Sequence, residues 1–413
     1  DLNKNKFDIF SQISTILRLM SVLSGNLAVS ERAVLHLVQS GRATSQVQIA
    51  RHLGVSTATV HNVVRRLLDQ QMVEQAAVDR GQKGRPALHY RLRLTAPVLA
   101  IQWLGTEWHG GIIGPDPGED LVTHWDTERA PDPESALATI SARVKALLKE
   151  RRLKIRDISG CAIFLNAVRF PGNGKLASSV IPWAAELDTS RFEAALGCKV
   201  WILSAPGSAE AELALRAGEN VSRLVVFNAG DGVSAHGSSY GEQWPGMEPL
   251  RGEIGHIIVD PRGAVCGCGH RGCLETLLSG PALQQRVRAD AAAGVSTRLS
   301  AVLRQPPKVF FDTLEQLHAA RAESYATTVA EEFLDRCAWA LSVAVSMQAP
   351  DLVVLSGYGL AGREAWRKRI AELARGKILH GEQSDLRLEF PRSTPAEQLR
   401  RLAEGAFLSQ TTL

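Results

Sequence analysis

Long apolar runs are missing from this 413-residue chain: nowhere do eighteen apolar residues follow one another, which excludes a membrane-spanning helix. The chain opens without the charged, apolar and small segments of a signal peptide, so a cytoplasmic location is expected. Cysteine is scarce, six in the whole chain, too few for a disulfide scaffold. An excess of one charge is also missing, since 47 Lys/Arg against 43 Asp/Glu leave a net of +4.

That balance conceals a division. Residues 1–95 hold thirteen Lys/Arg against six Asp/Glu, a net of +7, and the rest hold thirty-four against thirty-seven, a net of −3. A basic end on a slightly acidic body points to a nucleic-acid contact confined to one end. With 45% apolar and 22% charged residues there is material for more than one core, and the length asks for more than one domain.

The basic end carries a motif. Residues 7–23 are apolar at helical spacing, a core or dimer-contact helix before the first domain proper. A second helix opens at Ser30-Glu31, and the stretch Gln46–Val63 then reads as a helix-turn-helix. Ile49, Ala50, Leu53, Val55, Val60 and Val63 fall on the shared core, Gly54 on the turn, and Ser56 caps the second helix. On that helix Thr57, Thr59, His61 and Asn62 occupy the first turns, where short hydroxyls and amides suit base or phosphate hydrogen bonds. Arg65 and Arg66 suit backbone phosphates. The alternative is a polar solvated face. Two strand-like runs flank the basic tip Asp79–Pro86, so Lys83 and Arg85 are expected at the end of a wing that enters a minor groove.

Three of the cysteines cluster. From Gly252 to Glu275 the chain offers His256, Cys266, Cys268 and Cys273, with nine, one and four residues between them. Three thiolates and an imidazole complete a tetrahedral set for Zn2+ and leave no open position for water, so the site reads as structural. His270 competes as a ligand, and three unligated thiols are the alternative. Cys161, Cys198 and Cys337 stand in apolar segments as buried structural thiols.

The segment Gly252–Glu275 resembles the signature of the ROK family (repressors, open reading frames and sugar kinases), and the winged helix before it resembles that family's repressor branch. The resemblance implies a winged helix-turn-helix domain over 1–95 and, over 97–413, an α/β actin/hexokinase-like two-lobed body with a zinc loop. It places buried strands in Val98–Ile113, Ser159–Leu165, Leu224–Phe227 and Pro350–Gly357. Helices are implied at Leu213–Gly218, Ala326–Met347 and Ala396–Leu408. It also implies that Glu253, His256 and Glu275 line an effector pocket, the alternative for the two carboxylates being support of the zinc loop. One imidazole nitrogen of His256 can hold the metal while the other meets a hydroxyl.

The chain departs from the family's kinases at several points. The Asn-Asp pair that would supply the catalytic base falls near Ala205-Pro206, and no Asp occurs from 189 to 230. The first phosphate turn reads Gln102-Trp103-Leu104-Gly105-Thr106 and the second Gly230-Asp231-Gly232. Val180 stands where an Asn would contact the sugar, before Pro182-Trp183. The expectation is therefore a repressor without catalytic residues. Its partners would be a double-stranded DNA operator, a sugar or sugar-phosphate effector, and a second copy of itself in a homodimer or higher oligomer. A carbohydrate kinase bearing a DNA-binding domain, or a regulator answering to a protein, are the alternatives.

Overall fold

Each helix of the basic end starts and stops where the local side chains dictate. The computed structural model describes residues 29–39, 43–79, 87–103, 107–126, 130, 132–165, 167–169, 176–181, 183–204, 221, 223–239, 252–379, 381 and 386–411. The first described helix, α1, spans Val29–Gln39. Before α2, Gln46–Leu53, Ser45 accepts a hydrogen bond from the Gln48 amide while Gln48 accepts one from the Ser45 amide, a reciprocal cap that satisfies two otherwise orphaned donors. Gly54 ends α2 at φ 65°, and Ser56 caps α3, Thr57–Asp69, through the Thr59 amide. Ile49, Val60, Val64 and Leu67 bury completely against Leu35 and Val38. Strands β1, Val73–Asp79, and β2, Ala87–Leu92, pair antiparallel as the wing. The expected helix over 7–23 and the wing tip with Lys83 and Arg85 lie outside the described residues.

The body follows. Strands β3, Val98–Trp103, β4, Glu107–Ile113, and β5, Leu121–Asp126, form an antiparallel meander. Helix α4, Pro133–Glu150, crosses to β6, Gly160–Leu165, which runs parallel to β3. A short hairpin, β7 at Val168–Arg169 and β8 at Leu176–Ala177, and helix α5, Thr189–Leu196, lead to β9, Val200–Ser204. The sheet order is β5-β4-β3-β6-β9. β3 and β6 are buried at every position, as continuous apolar runs in a covered parallel sheet should be.

The second lobe repeats the winding. β10, Arg223–Ala229, pairs antiparallel with β11, Val233–Ser239. After the short helix α6, Glu275–Leu278, come α7, Gly280–Ala292, α8, Pro307–Ala319, and α9, Ser324–Gln348. β12, Leu352–Ser356, then lies parallel to β10; α10, Glu364–Arg375, leads to β13, Leu388–Glu389, parallel to β12. Phe310, Phe311, Phe333 and Trp366 fill the core between sheet and helices. The last helix, α11, Pro395–Thr411, returns to the outer face of the first sheet. No described helix is long and apolar enough to cross a membrane. The expected helix at Leu213–Gly218 lies outside the described residues.

Candidate functional site

Two sites emerge, one on the winged helix and one on the loop packed against β11. On α3 the core takes Val60, Val63, Val64 and Leu67, and the opposite face is left to solvent: Thr57, Thr59, His61, Asn62, Arg65 and Arg66 are all exposed. Thr59 is partly committed, its hydroxyl sharing a 2.9 Å hydrogen bond with Ser56. Arg66 differs from its neighbour. Its Nε donates to Glu31 Oε1 at 2.8 Å, and that carboxylate is almost buried on α1, so Arg66 ties α3 to α1 before it meets any ligand. The wing is fastened to α2 by Gln46 Nε2, which donates to the Tyr90 hydroxyl at 2.8 Å.

The second site begins at Gly252. Its φ of 93° is a left-handed value, and a Cβ there would stand 2.7 Å from the Ala235 carbonyl and 2.7 Å from the His236 ring. Glycine thereby lets Glu253 lie against β11. Glu253 Oε1 is 3.7 Å from His236 Nε2, and Oε2 is 3.8 Å from His256 Nε2. Burial raises the Glu253 carboxyl to about 7, with His256 opposing the shift and Glu275 adding to it. His256 turns its other nitrogen to the thiols, Nδ1 lying 3.6 Å from Cys266 Sγ.

His256, Cys266, Cys268 and Cys273 bring their ligand atoms within 4.8 Å of one another. The Cys268–Cys273 sulfur separation is 3.6 Å, close to the edge of a tetrahedron with metal–sulfur bonds of about 2.3 Å. The residues thus fit a metal ion. Gly272 makes the loop possible: a Cβ there would fall 1.4 Å from the Asp260 carbonyl. Burial pushes the Cys266 and Cys273 thiols up. Burial opposes ionisation of Cys268 as well, yet hydrogen bonds from the His270 amide and ring and from the other two thiols bring it down to about 6. His270 is exposed; its Nδ1 lies 3.5 Å from Cys268 Sγ, and its carbonyl accepts from the Cys266 amide at 2.8 Å.

Glu275 occupies the first turn of α6 and is 8% exposed. Its Oε2 accepts from the Val233 amide at 3.1 Å, and Oε1 lies 3.7 Å from Cys266 Sγ. Glu275 therefore bolts the cysteine loop to β11, whereas Glu253 and His256 keep about a quarter of their surface open. His236 is not singled out by the sequence. It stands on the face of β11 opposite buried Val233 and Ala235, and only the fold reveals that this face meets Glu253.

The turn between β10 and β11 is occupied from within. Asp231 is 7% exposed, and its Oδ1 accepts a 2.7 Å hydrogen bond from the Tyr358 hydroxyl. Tyr358 lies over the start of α7, where a Cβ on Gly280 would meet its hydroxyl at 2.5 Å. On the first sheet, Trp103 stacks on Trp108 with centroids 4.4 Å apart and leans on Trp183 at 5.0 Å. Val180 is buried beside Trp183. Residues 104–106 and 205–220, which include Ala205-Pro206, lie outside the described set.

Comparison with known proteins places these features. Residues 121–386 match the ROK family and residues 33–77 match the IclR helix-turn-helix domain. The chain is 23% identical over 348 residues to the DNA-binding transcriptional dual regulator NagC of Escherichia coli K12, covering 80% of each. It is 27% identical over 142 residues to a glucokinase of Thermotoga maritima, 34% of this chain and 44% of that one. Among solved structures, a ROK family transcriptional regulator described as a homolog of the E. coli MLC protein aligns at a TM-score of 0.62 and 20% identity, over 92% of this chain and 96% of that one. The ROK glucokinase of Streptomyces griseus, in complex with glucose and AMPPNP, aligns at 0.58 and 20% identity, over 74% and 98%. With the family matched across more than half its length, an actin/hexokinase-like body behind a helix-turn-helix, and a cysteine–histidine cluster able to hold a metal, the chain belongs to the ROK family.

Proposed function

We propose that this chain is a cytoplasmic DNA-binding transcriptional regulator, a repressor of carbohydrate-related genes, divided into a reader over 1–95 and a sensing body over 97–413. The observation that carries the reading is the α3 face. Four polar side chains and Arg65 project from a capped helix whose other face is wholly buried, as a recognition helix in a major groove requires. Thr57, Thr59, His61 and Asn62 meet base edges or phosphates; Arg65 and, at the wing tip, Lys83 and Arg85 supply charge.

The body senses rather than catalyses. The Asp231–Tyr358 pair puts a buried acid and a phenol ring at the turn where a phosphate would need open amides and no negative charge. Glu253 and His256 face a sugar or sugar-phosphate effector, and Glu275 holds their wall in place. A structural Zn2+ bound by His256, Cys266, Cys268 and Cys273 stiffens that wall and fixes the orientation of the His256 ring. The chain works as a homodimer, so that its two winged helices meet two related half-sites.

Selection of genomic fragments by the purified chain tests the reading. Enriched fragments should share paired half-sites about 34 Å or a multiple apart; recovery of no common sequence overturns it. Thermal shift across hexoses, amino sugars and their phosphates tests the sensor, and stabilisation by none would assign control to a protein partner instead.

A further inference from the structure

Helix α11 is the last element of the chain, yet it touches the first described one. Its apolar stripe, Leu399, Ala403, Ala406 and Phe407, recurs at helical spacing and buries against Val98, Ala100, Ile113, Ala162 and Phe164 on the outer face of the five-stranded sheet. Beside that stripe, neighbouring arginines face opposite ways. Arg400 Nε donates to Asp120 Oδ2 at 2.7 Å, and its terminal nitrogen donates to Asp120 Oδ1 and, at 3.0 Å, to the Gly114 carbonyl. Arg401 donates to the Gln39 carbonyl, and Gln39 Nε2 donates back to the Arg401 carbonyl at 3.1 Å. Glu404, almost fully buried, lies 3.7 Å from Arg400 and 4.0 Å from Arg401. One helical turn on, Leu408 packs against the core of the winged helix.

The placement of Gly114 and Asp120 gives this arrangement a direction. They flank the turn between β4 and β5, at the far end of β4 from Glu107. β4 begins beside the end of β3, on the sheet's carboxyl edge, where ligands sit in open α/β sheets. Seven residues of strand, roughly 20 Å, therefore separate the cleft edge from the Arg400 anchor. We propose that α11 is a coupling arm: it carries the position of the sheet, taken at Gly114 and Asp120, through Arg400, Glu404 and Arg401 to the carboxyl end of α1, and so sets how the winged helix is held. The arm deepens the regulatory reading, on which its purpose rests, by naming the path along which the body would move the reader. A path of packed side chains counts as coupling only if a change at one end is felt at the other.

The two ends can be separated by hydrogen exchange on the full chain. Arg401→Met removes the side-chain bond to the Gln39 carbonyl, keeps the stem and leaves the bond from Gln39 Nε2 to the backbone carbonyl of residue 401, whereas Asp120→Asn weakens the anchor on the sheet and leaves the Gln39 bonds in place. Both should raise amide exchange across Val34–Gln39 by about tenfold, the size of one charge-assisted hydrogen bond. α9 should stay as protected as in the unmodified chain, and Arg369→Met, which breaks a surface pair with Glu331, should leave α1 unmoved. High salt screens the exposed Arg91–Asp116 pair, a further polar tie between wing and body among the described residues. If Asp120→Asn leaves α1 unchanged while Arg401→Met loosens it, α11 is a local prop and the proposal falls. If Asp120→Asn loosens α9 too, Gln39→Ala takes its place, read from the opposite end as faster exchange in the turn from Gly114 to Leu121; coupling is reciprocal, and an unchanged turn overturns it. DNA binding is not scored, so failure of the regulatory reading would not disturb this readout.

Discussion

Tyr358 donates its phenolic proton to Asp231 across 127 positions of sequence, at 2.7 Å, and the pair closes the turn between β10 and β11 from inside. The ring lies against Phe311, with centroids 5.8 Å apart, and Arg363 holds the Tyr358 backbone by donating to its carbonyl at 3.1 Å. A nucleotide phosphate would have to displace a buried carboxylate and break that bond. The purified chain should therefore form no ADP from Mg-ATP with glucose, N-acetylglucosamine or N-acetylmannosamine, and Mg-ATP should not raise its melting temperature. Tyr358→Phe should cost about 1–2 kcal/mol in denaturant unfolding by leaving the acid one partner short. Sugar-dependent ADP formation would return the chain to the kinases.

What the sequence discloses and what it withholds divide by distance along the chain. The helix-turn-helix is legible because every signal for it, from Gln46 to Val63 with the Ser56 cap, sits in one short window with a helical period. The clustering of His256, Cys266, Cys268 and Cys273 is legible for the same reason: glycine-spaced thiols cannot avoid one another. By contrast, the His236–Glu253 contact depends on the register of β11 against the Gly252 loop, and the Gln39–Arg401 bonds span 362 positions. No local pattern encodes such pairs. Arg66 shows the limit most plainly. Its residue type and its place on α3 suit a phosphate, but helix packing turns it toward Glu31.

That difference between neighbouring arginines is measurable. Arg65 is exposed with no ion pair among the described residues, so Arg65→Ala should weaken binding to every DNA sequence and reduce the salt slope by about one. Arg66→Ala should instead cost about 1 kcal/mol of stability, since Glu31 loses a hydrogen-bonded cation at a nearly buried position. Equal salt slopes for the two variants would place both residues on phosphates and dissolve the distinction.

The thiol cluster makes a prediction of its own. Metal analysis of the purified chain should return about one zinc ion per chain. Cys273→Ser should abolish it and lower the melting temperature, because Cys273 is fully buried and has no solvent to replace a lost ligand. A chelator should lower the melting temperature of the unmodified chain in the same way, and Cys198→Ser, away from the cluster, should change neither reading. Full stability in the metal-free chain would reduce the cluster to packed thiols.

Glu404 carries a pH signature that tests the polar core of α11. Burial raises its carboxyl above the ordinary range, with Asp120 adding to the shift and Arg401 and Arg400 opposing it. In the unfolded chain the same group ionises near the usual value of about 4.3. The folded chain thus holds this proton to higher pH than the unfolded chain does. Stability from Glu404 is complete below about pH 4.3 and is lost as the pH climbs through the raised folded value. Glu404→Gln keeps the shape and removes the titration, so its melting temperature should gain on that of the unmodified chain as the pH goes from about 4.5 to 8. Below pH 4 the two curves should run parallel. A gap that stays constant across the range, or that turns in favour of the unmodified chain as the pH rises, would mean that the two arginines, and not burial, govern the charge at this position.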